Sequence, residues 1–321
     1  MLVVSLEPLY YKLVNFMQDR GQFLKRFFTY LGERFSLQQF IPLSLIFGIH
    51  ASLFAQFFLH NNYKLSIAIL SSLALFLFLF RLRLFDEFKD YEHDRRHYTT
   101  RPVPRGLISL SELRILTFTV LTFEVILSLY LGIVPFVFFV IASLYSLLLF
   151  KEFFIRDWLR EHFTVYIAVH EVLTIPLFYY LYSINIKNFN FLSNNIFLAH
   201  SILLMTSFFS LEVARKIRPK ELEIPSKDTY TAQYGISGTS KLLLGLAIIS
   251  FILSIFILLT INNLTFILLI PVLVGLLFLA VAINKFQKGP DINTSKKVLL
   301  WTIIYTVLLN IGLISSLWVA K

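Results

Sequence analysis

Three aspartates, Asp86, Asp90 and Asp94, recur at every fourth position in the string Leu84-Phe85-Asp86-Glu87-Phe88-Lys89-Asp90-Tyr91-Glu92-His93-Asp94. On a helix that spacing puts all three on one face, with neighbours about 6 Å apart. Adjacent carboxylates at that distance repel by about 3 kcal/mol at an effective dielectric of about 20. In open water the repulsion falls to tenths of a kcal/mol. An exposed helix end tolerates the string with Lys89, Arg95 and Arg96 as counter-charges, which is the ordinary reading of an isolated acidic run. At a cavity mouth the string needs a cation. Mg2+ suits it, being hard, oxygen-ligated and commonly shared with phosphate oxygens. The residues that follow favour the second reading: Arg95, Arg96, Arg101 and Arg105 come within eleven residues of Asp94. Arg101-Pro102-Val103-Pro104-Arg105-Gly106 is a rigid turn, because both prolines fix φ. Carboxylates for a metal beside guanidiniums for phosphate oxygens are what a metal–diphosphate ligand requires.

The elements that must position these residues are membrane spans. Of 321 residues 57% are hydrophobic, only 15% are charged, and 35 are Phe. A soluble fold is nearer 45–50% apolar and about 25% charged. The composition excludes a disordered chain, a secreted disulfide scaffold and a soluble nucleic-acid binder. With no Cys there is no disulfide, thiolate metal site or Cys nucleophile. Nine windows are apolar enough to cross a bilayer, at 40–60, 64–84, 113–131, 133–150, 162–184, 191–211, 242–261, 264–283 and 298–319. Each is apolar throughout rather than alternating, which predicts an all-α integral membrane protein and not a β-barrel. Residues 1–35 mix Arg20, Lys25, Arg26 and Arg34 with Phe23, Phe27, Phe28 and Leu31, and read as an amphipathic segment on the membrane surface. Residues 36–321 form the nine-helix domain.

Charge orients the spans. All Lys and Arg except Lys64, Lys187 and Lys321 fall in the N-terminal arm and in the longer breaks after spans two, four, six and eight with their flanking residues. Under the positive-inside rule those segments, the acidic string among them, are cytoplasmic. The N-terminus is then inside and the C-terminus outside.

Further polar residues share that side. After span six come Glu212, Arg215, Lys216, Arg218, Glu221, Glu223 and Asp228, which as residues alone fit an ordinary cytoplasmic loop equally well. After span four come Tyr145 and Lys151, the latter as readily a topology charge. His170-Glu171 lies in span five, about 12 Å from its cytoplasmic end by helical rise. An ionisable pair there faces a cavity or a partner. It is either a hydrogen-bonded interior pair or the wall of a substrate cavity, where it would act as a base or sit near a developing carbocation.

The string from Asp86 to Gly106 resembles the first aspartate-rich motif of the UbiA-type membrane prenyltransferases. That motif is Asn-Asp, two residues, Asp, three residues, Asp, then an Arg-Pro turn closing with Gly. Asp90, Asp94, Arg101-Pro102 and Gly106 match it, and Asp86-Glu87 stands where Asn-Asp is frequent. The resemblance implies a nine-helix bundle around a central cavity, with Mg2+ held by Asp86, Glu87, Asp90 and Asp94. It also implies a second acidic motif at the end of span six, with Glu212 and Asp228 as further metal ligands. Lys216 occupies the place of a second carboxylate there and, with Arg215, would meet diphosphate directly. Arg95, Arg101, Tyr145, Lys151, His170 and Glu171 are implied as substrate-binding.

The function so implied is Mg2+-assisted transfer of an isoprenoid chain from a polyprenyl diphosphate to an aromatic or other lipophilic acceptor, a transfer of an alkyl or aryl group other than methyl. Quinone precursors, other aromatic rings, a haem or chlorin, and a phosphosugar all fit as acceptors. The expected setting is a bacterial inner membrane with the site facing the cytoplasm, and nucleic acid is not a partner. A transporter or cation-binding membrane protein using the same carboxylates is the alternative, although transporters place their sites near the midplane within inverted repeats. Reporter fusions test the topology: those after Lys187 and after Lys288 should report opposite sides of the membrane. The same side for both would overturn the charge assignment.

Overall fold

The computed structural model describes residues 22–59, 63–223, 229–261 and 265–319, with Arg160 as backbone only. Among these residues the chain is helical throughout, with nine helical segments long and apolar enough to cross a membrane. They are α2 (Leu37–Phe58), α3 (Leu65–Lys89), α5 (Leu110–Leu131), α6 (Ile133–Phe150), the paired α8 and α9 (Phe163–Val172 and Thr174–Ile186), α10 (Asn195–Arg215), α11 (Tyr230–Thr260), α12 (Ile270–Lys288) and α13 (Ile292–Val319). Short helices α4 (Tyr91–His97) and α7 (Arg156–Glu161) lie in the breaks, and α1 runs through 22–34. In lipid the backbone must bond to itself, and the helix does so within one segment. All nine expected windows are occupied. The largest change is at α11, which begins at Tyr230 rather than 242. Thr229 caps it by accepting from the Ala232 amide, and Gly235, at φ +69°, breaks the helix inside its first turns. Span five breaks at Leu173, between α8 and α9. Pro176 explains the site, because it cannot donate to the Val172 carbonyl.

The chain divides into two compact parts. The first comprises Met1–Leu43 with Phe76–Phe123. In it α1 turns Tyr30 and Leu31 inward, with Phe35 just beyond its end also buried, and leaves Leu24 and Phe28 exposed. Phe35 packs on Phe40 at 3.9 Å, Phe80 at 4.9 Å and Phe76 at 5.4 Å between ring centres. Polar pairing reinforces the docking. Arg26 grips Glu112 through both carboxylate oxygens, at 2.7 and 3.2 Å, and Arg105 grips Glu33 at 2.7 and 2.8 Å. Glu112 also closes a capping box with Ser109 at the start of α5, accepting from its amide at 2.8 Å while its own amide donates to the Ser109 hydroxyl. The arm expected at the membrane surface is thus also tied to the start of α5 and to the Arg-Pro turn; residues 1–21 lie outside the described ones.

The second part comprises Ser44–Leu75 with Glu124–Lys321. Several of its polar side chains pair in the interior, where lipid makes an unpaired polar group costly. His50 of α2 meets His200 of α10 at 2.8 Å between Nε2 atoms, and His200 Nδ1 lies 2.7 Å from the Tyr182 hydroxyl of α9. His200 stacks on Phe54 at 3.5 Å. One turn beyond His50, Ser52 and Gln56 both donate to the Asn185 amide oxygen, at 2.9 and 3.0 Å. Gly48 of α2 lies so close to α3 that a Cβ there would fall 2.5 Å from the Cα of Ser72. Gly48→Ala must therefore push backbone from backbone, at a cost of about 1–3 kcal/mol. In detergent it should lower the melting temperature, whereas Gly245→Ala, whose Cβ meets nothing within 4 Å, should not. Equal melting of the two variants would overturn this packing.

Candidate functional site

The acidic string sits where α3 gives way to α4. Lys89 ends α3 and Asp90, at φ −96° and ψ 2°, separates the helices. The string is therefore not one unbroken helix, yet helical pairing survives the junction. The Asp90 amide donates to the Asp86 carbonyl, Asp94 to Asp90 and Tyr98 to Asp94, each at 2.8 Å. Backbone pairing thus continues across the bend, but Asp94 is buried while Asp86 is about half exposed, so the three aspartates do not present one common face. The chain then turns through Arg101–Gly106, with the Arg105 amide donating to the Arg101 carbonyl and Leu107 to Pro102. Gly106, at φ +78°, closes the turn in a conformation that side chains resist.

The five carboxylates have different fates, and Glu92 is exposed. Glu87 and Asp94 are buried, with side chains only 1% and 4% exposed. Glu87 accepts from Arg34 at 2.7 Å and from Arg83 at 2.6 Å. Asp94 accepts from Arg101 at 2.5 Å and more distantly from Arg34 at 3.5 Å. Arg101 also lies over the Tyr98 ring at 3.6 Å. Asp86 is 46% exposed and touches Arg83 only at 3.5 Å. Burial, and then the neighbouring Asp86 carboxylate, push the Asp90 carboxyl up to about 6. Guanidiniums have taken the inner pair, Glu87 and Asp94. The outer pair, Asp86 and Asp90, is crowded by its own negative charge. Among the described residues no three His, Asp or Glu side chains form a ready metal cage. Mg2+ does not require one, since one or two carboxylates with substrate phosphates suffice. The outer pair fits such an ion and the inner pair, already neutralised, does not. Arg95 is exposed one residue beyond Asp94.

A second cluster lies in the other part of the chain. At the end of α10 the Glu212 carboxylate accepts from Arg215 at 2.7 Å and pairs with Lys216 at 2.8 Å. Glu171 of α8 interacts electrostatically with both Glu212 and Lys216, and Lys216 also lies 5.7 Å from the centre of the Tyr230 ring. Lys216, standing where a carboxylate was expected, thus neutralises Glu212. His170 turns aside: its Nδ1 lies 2.6 Å from the Tyr166 carbonyl. Tyr145 donates to the Val169 carbonyl at 2.8 Å, and Lys151 lies against Phe150 at the end of α6. Asp228 lies outside the described residues. Glu223, given no role in the sequence reading, accepts from Thr229 and Thr231 and so ties the loop to the start of α11. Arg34 and Arg83 were likewise missed. Arg83 had a signal, four residues before Glu87; Arg34, 53 residues from its partner, had none.

Nine apolar spans and a carboxylate–guanidinium string at a helix end define a polytopic membrane protein with a polar site at one face. Residues 44–304 match the model of the UbiA prenyltransferase family, and the chain belongs to that family. It is a membrane transferase of prenyl groups. A solved structure reported for digeranylgeranylglyceryl phosphate synthase in membranes shares the fold, with a TM-score of 0.57 and 20% identity over 91% of this chain and 99% of that one. No curated protein matches the sequence.

The raised Asp90 carboxyl gives a stability signature. Its charged form is disfavoured in the fold, so the penalty is absent below about pH 4, where both states are protonated, and complete above about pH 6. Metal-free Asp90→Asn should then be more stable than wild type by about 1–2 kcal/mol at pH 7.5, and the gain should vanish near pH 4. Thermal unfolding in detergent with a chelator measures it. A variant less stable at both pH values would show that Asp90 is held by favourable contacts instead.

Proposed function

We propose that this protein transfers a polyprenyl chain from a polyprenyl diphosphate to an aromatic or other lipophilic acceptor within the membrane, with Mg2+ at Asp86 and Asp90. The observation that carries the reading is the division of labour in the acidic string. Glu87 and Asp94 are gripped closely by arginine, whereas Asp86 meets Arg83 only at 3.5 Å and Asp90 is crowded by Asp86. Asp86 and Asp90 would hold the Mg2+ ion, which would supply charge neutralisation for a pyrophosphate leaving group as the allylic C–O bond breaks.

The chain's own residues do the rest. Arg101 uses one of its five N–H donors on Asp94 and has others for diphosphate oxygens. Arg95, on the exposed side of α4, adds a second cation. The Pro102–Pro104 turn holds Arg101 in place, and buried Val103 anchors that turn. In the second cluster, Lys216 and Arg215 are the cations and Glu212 their fixed counter-ion, so we assign no metal to Glu212. Glu171 is the candidate group for orienting or deprotonating an acceptor. The charge asymmetry of the loops supports a cytoplasmic side for the acidic string, and we take the membrane to be a bacterial inner membrane.

The test is Mg2+-dependent pyrophosphate release from long-chain allylic diphosphates in the presence of a membrane extract. Asp90→Asn removes one anionic ligand while keeping shape, and the rate should fall about a hundredfold or more. An unchanged rate would sink the metal assignment. If the wild type released no pyrophosphate from any donor, and vesicles showed Asp90-dependent cation uptake, the protein would be a transporter.

A further inference from the structure

The inner pair of carboxylates depends on a residue from outside the family-matched stretch. Arg34 ends α1, ten residues before residue 44, where the match begins. Its guanidinium bridges the pair, with Nε 2.7 Å from Glu87 and Nη2 3.5 Å from Asp94. Its side chain is only 12% exposed. Arg83 and Arg101 serve one inner carboxylate each, whereas Arg34 joins the two. Two further pairs hold α1 in register: Arg26 with Glu112 at the head of α5, and Glu33 with Arg105 in the Arg-Pro turn. The helix thus grips both the turn and the string.

We propose that Arg34 is a positioning residue of the transferase site: by occupying Glu87 and Asp94 it restricts the divalent ion to Asp86 and Asp90. The fork of the guanidinium matters here, since a point charge cannot bridge two carboxylates in a fixed plane. Without Arg34, Glu87 keeps Arg83 and Asp94 keeps Arg101, but each loses its second cation, and Glu87 adjoins Asp86 while Asp94 stands one turn from Asp90. The carboxylate oxygens that Arg34 no longer neutralises compete for the same ion. The metal then has two sites, one of them unproductive, and the α1 arm becomes part of the catalytic domain rather than an appendage to it.

This inference rests on the reading that Asp86 and Asp90 hold the metal, and the experiment separates the two. Full-length protein in nanodiscs is titrated with Mn2+, and bound ion is followed by electron paramagnetic resonance without substrate. In the otherwise wild-type chain, Asp90→Asn should weaken Mn2+ binding about tenfold or more. In the Arg34→Ala chain the same change should cost less than about threefold, because Glu87 and Asp94 substitute as ligands. Arg34→Lys should restore dependence on Asp90 only in part, since the charge is kept but the fork that joins both carboxylates is lost. Should Arg34→Ala not fold, Arg34→Gln removes the charge while keeping a hydrogen-bonding side chain. Equal cost of Asp90→Asn with and without Arg34 would overturn the role of Arg34 and leave the metal assignment standing. No cost of Asp90→Asn in the wild-type chain would overturn the metal assignment, and the role of Arg34 with it.

Discussion

Five carboxylates within nine residues at the end of an apolar helix repel one another, and the first part of the chain is arranged around that repulsion. Burying a charge is costly unless it is paired. Glu87 and Asp94 are buried and therefore demand Arg34, Arg83 and Arg101. Satisfying them from α1 requires that helix to lie against the string, which fixes Glu33 beside Arg105 and Arg26 beside Glu112. The aromatic packing of Phe35 on Phe76 and Phe80 follows from the same docking. One electrostatic demand thus recruits a helix, a turn and the start of a span.

The second part answers to a different constraint. Apolar contact distinguishes poorly between helix and lipid, so polar side chains and small residues contribute register. Gly48 lets α2 approach α3, while His50, His200, Tyr182, Ser52, Gln56 and Asn185 join α2, α9 and α10. The Glu212–Lys216 pair and Glu223 do related work at the polar ends of α10 and α11.

Much of this was legible in the sequence because it is local. Hydropathy over a span, the fourfold spacing of Asp86, Asp90 and Asp94, and the prolines of the turn are each written within a short window. The long-range pairings were not. Arg34 was read as one cation of an amphipathic arm, since alternating Arg and Phe looks the same whether the polar face meets water or a carboxylate 53 residues away. His50 and His200 are each a lone histidine in an apolar run, separated by 150 residues. The early start of α11 was hidden by its polar first turns, which hydropathy reads as loop and which Thr229 caps into a helix. The carboxylates were found together, but spacing could not tell which pair arginine would claim.

The histidine pair also carries a sense of direction. In a neutral imidazole one ring nitrogen bears the proton and the other does not. If the Tyr182 hydroxyl donates to His200 Nδ1, then His200 Nε2 bears the proton and gives it to His50 Nε2, leaving the His50 proton on Nδ1. If His200 Nδ1 donates to Tyr182 instead, every step reverses. The two rings and the phenol therefore choose their tautomers together. Rotation of one hydroxyl on α9 is coupled to the proton positions on α10 and α2, so the three helices share a single two-state polarity deep in the membrane.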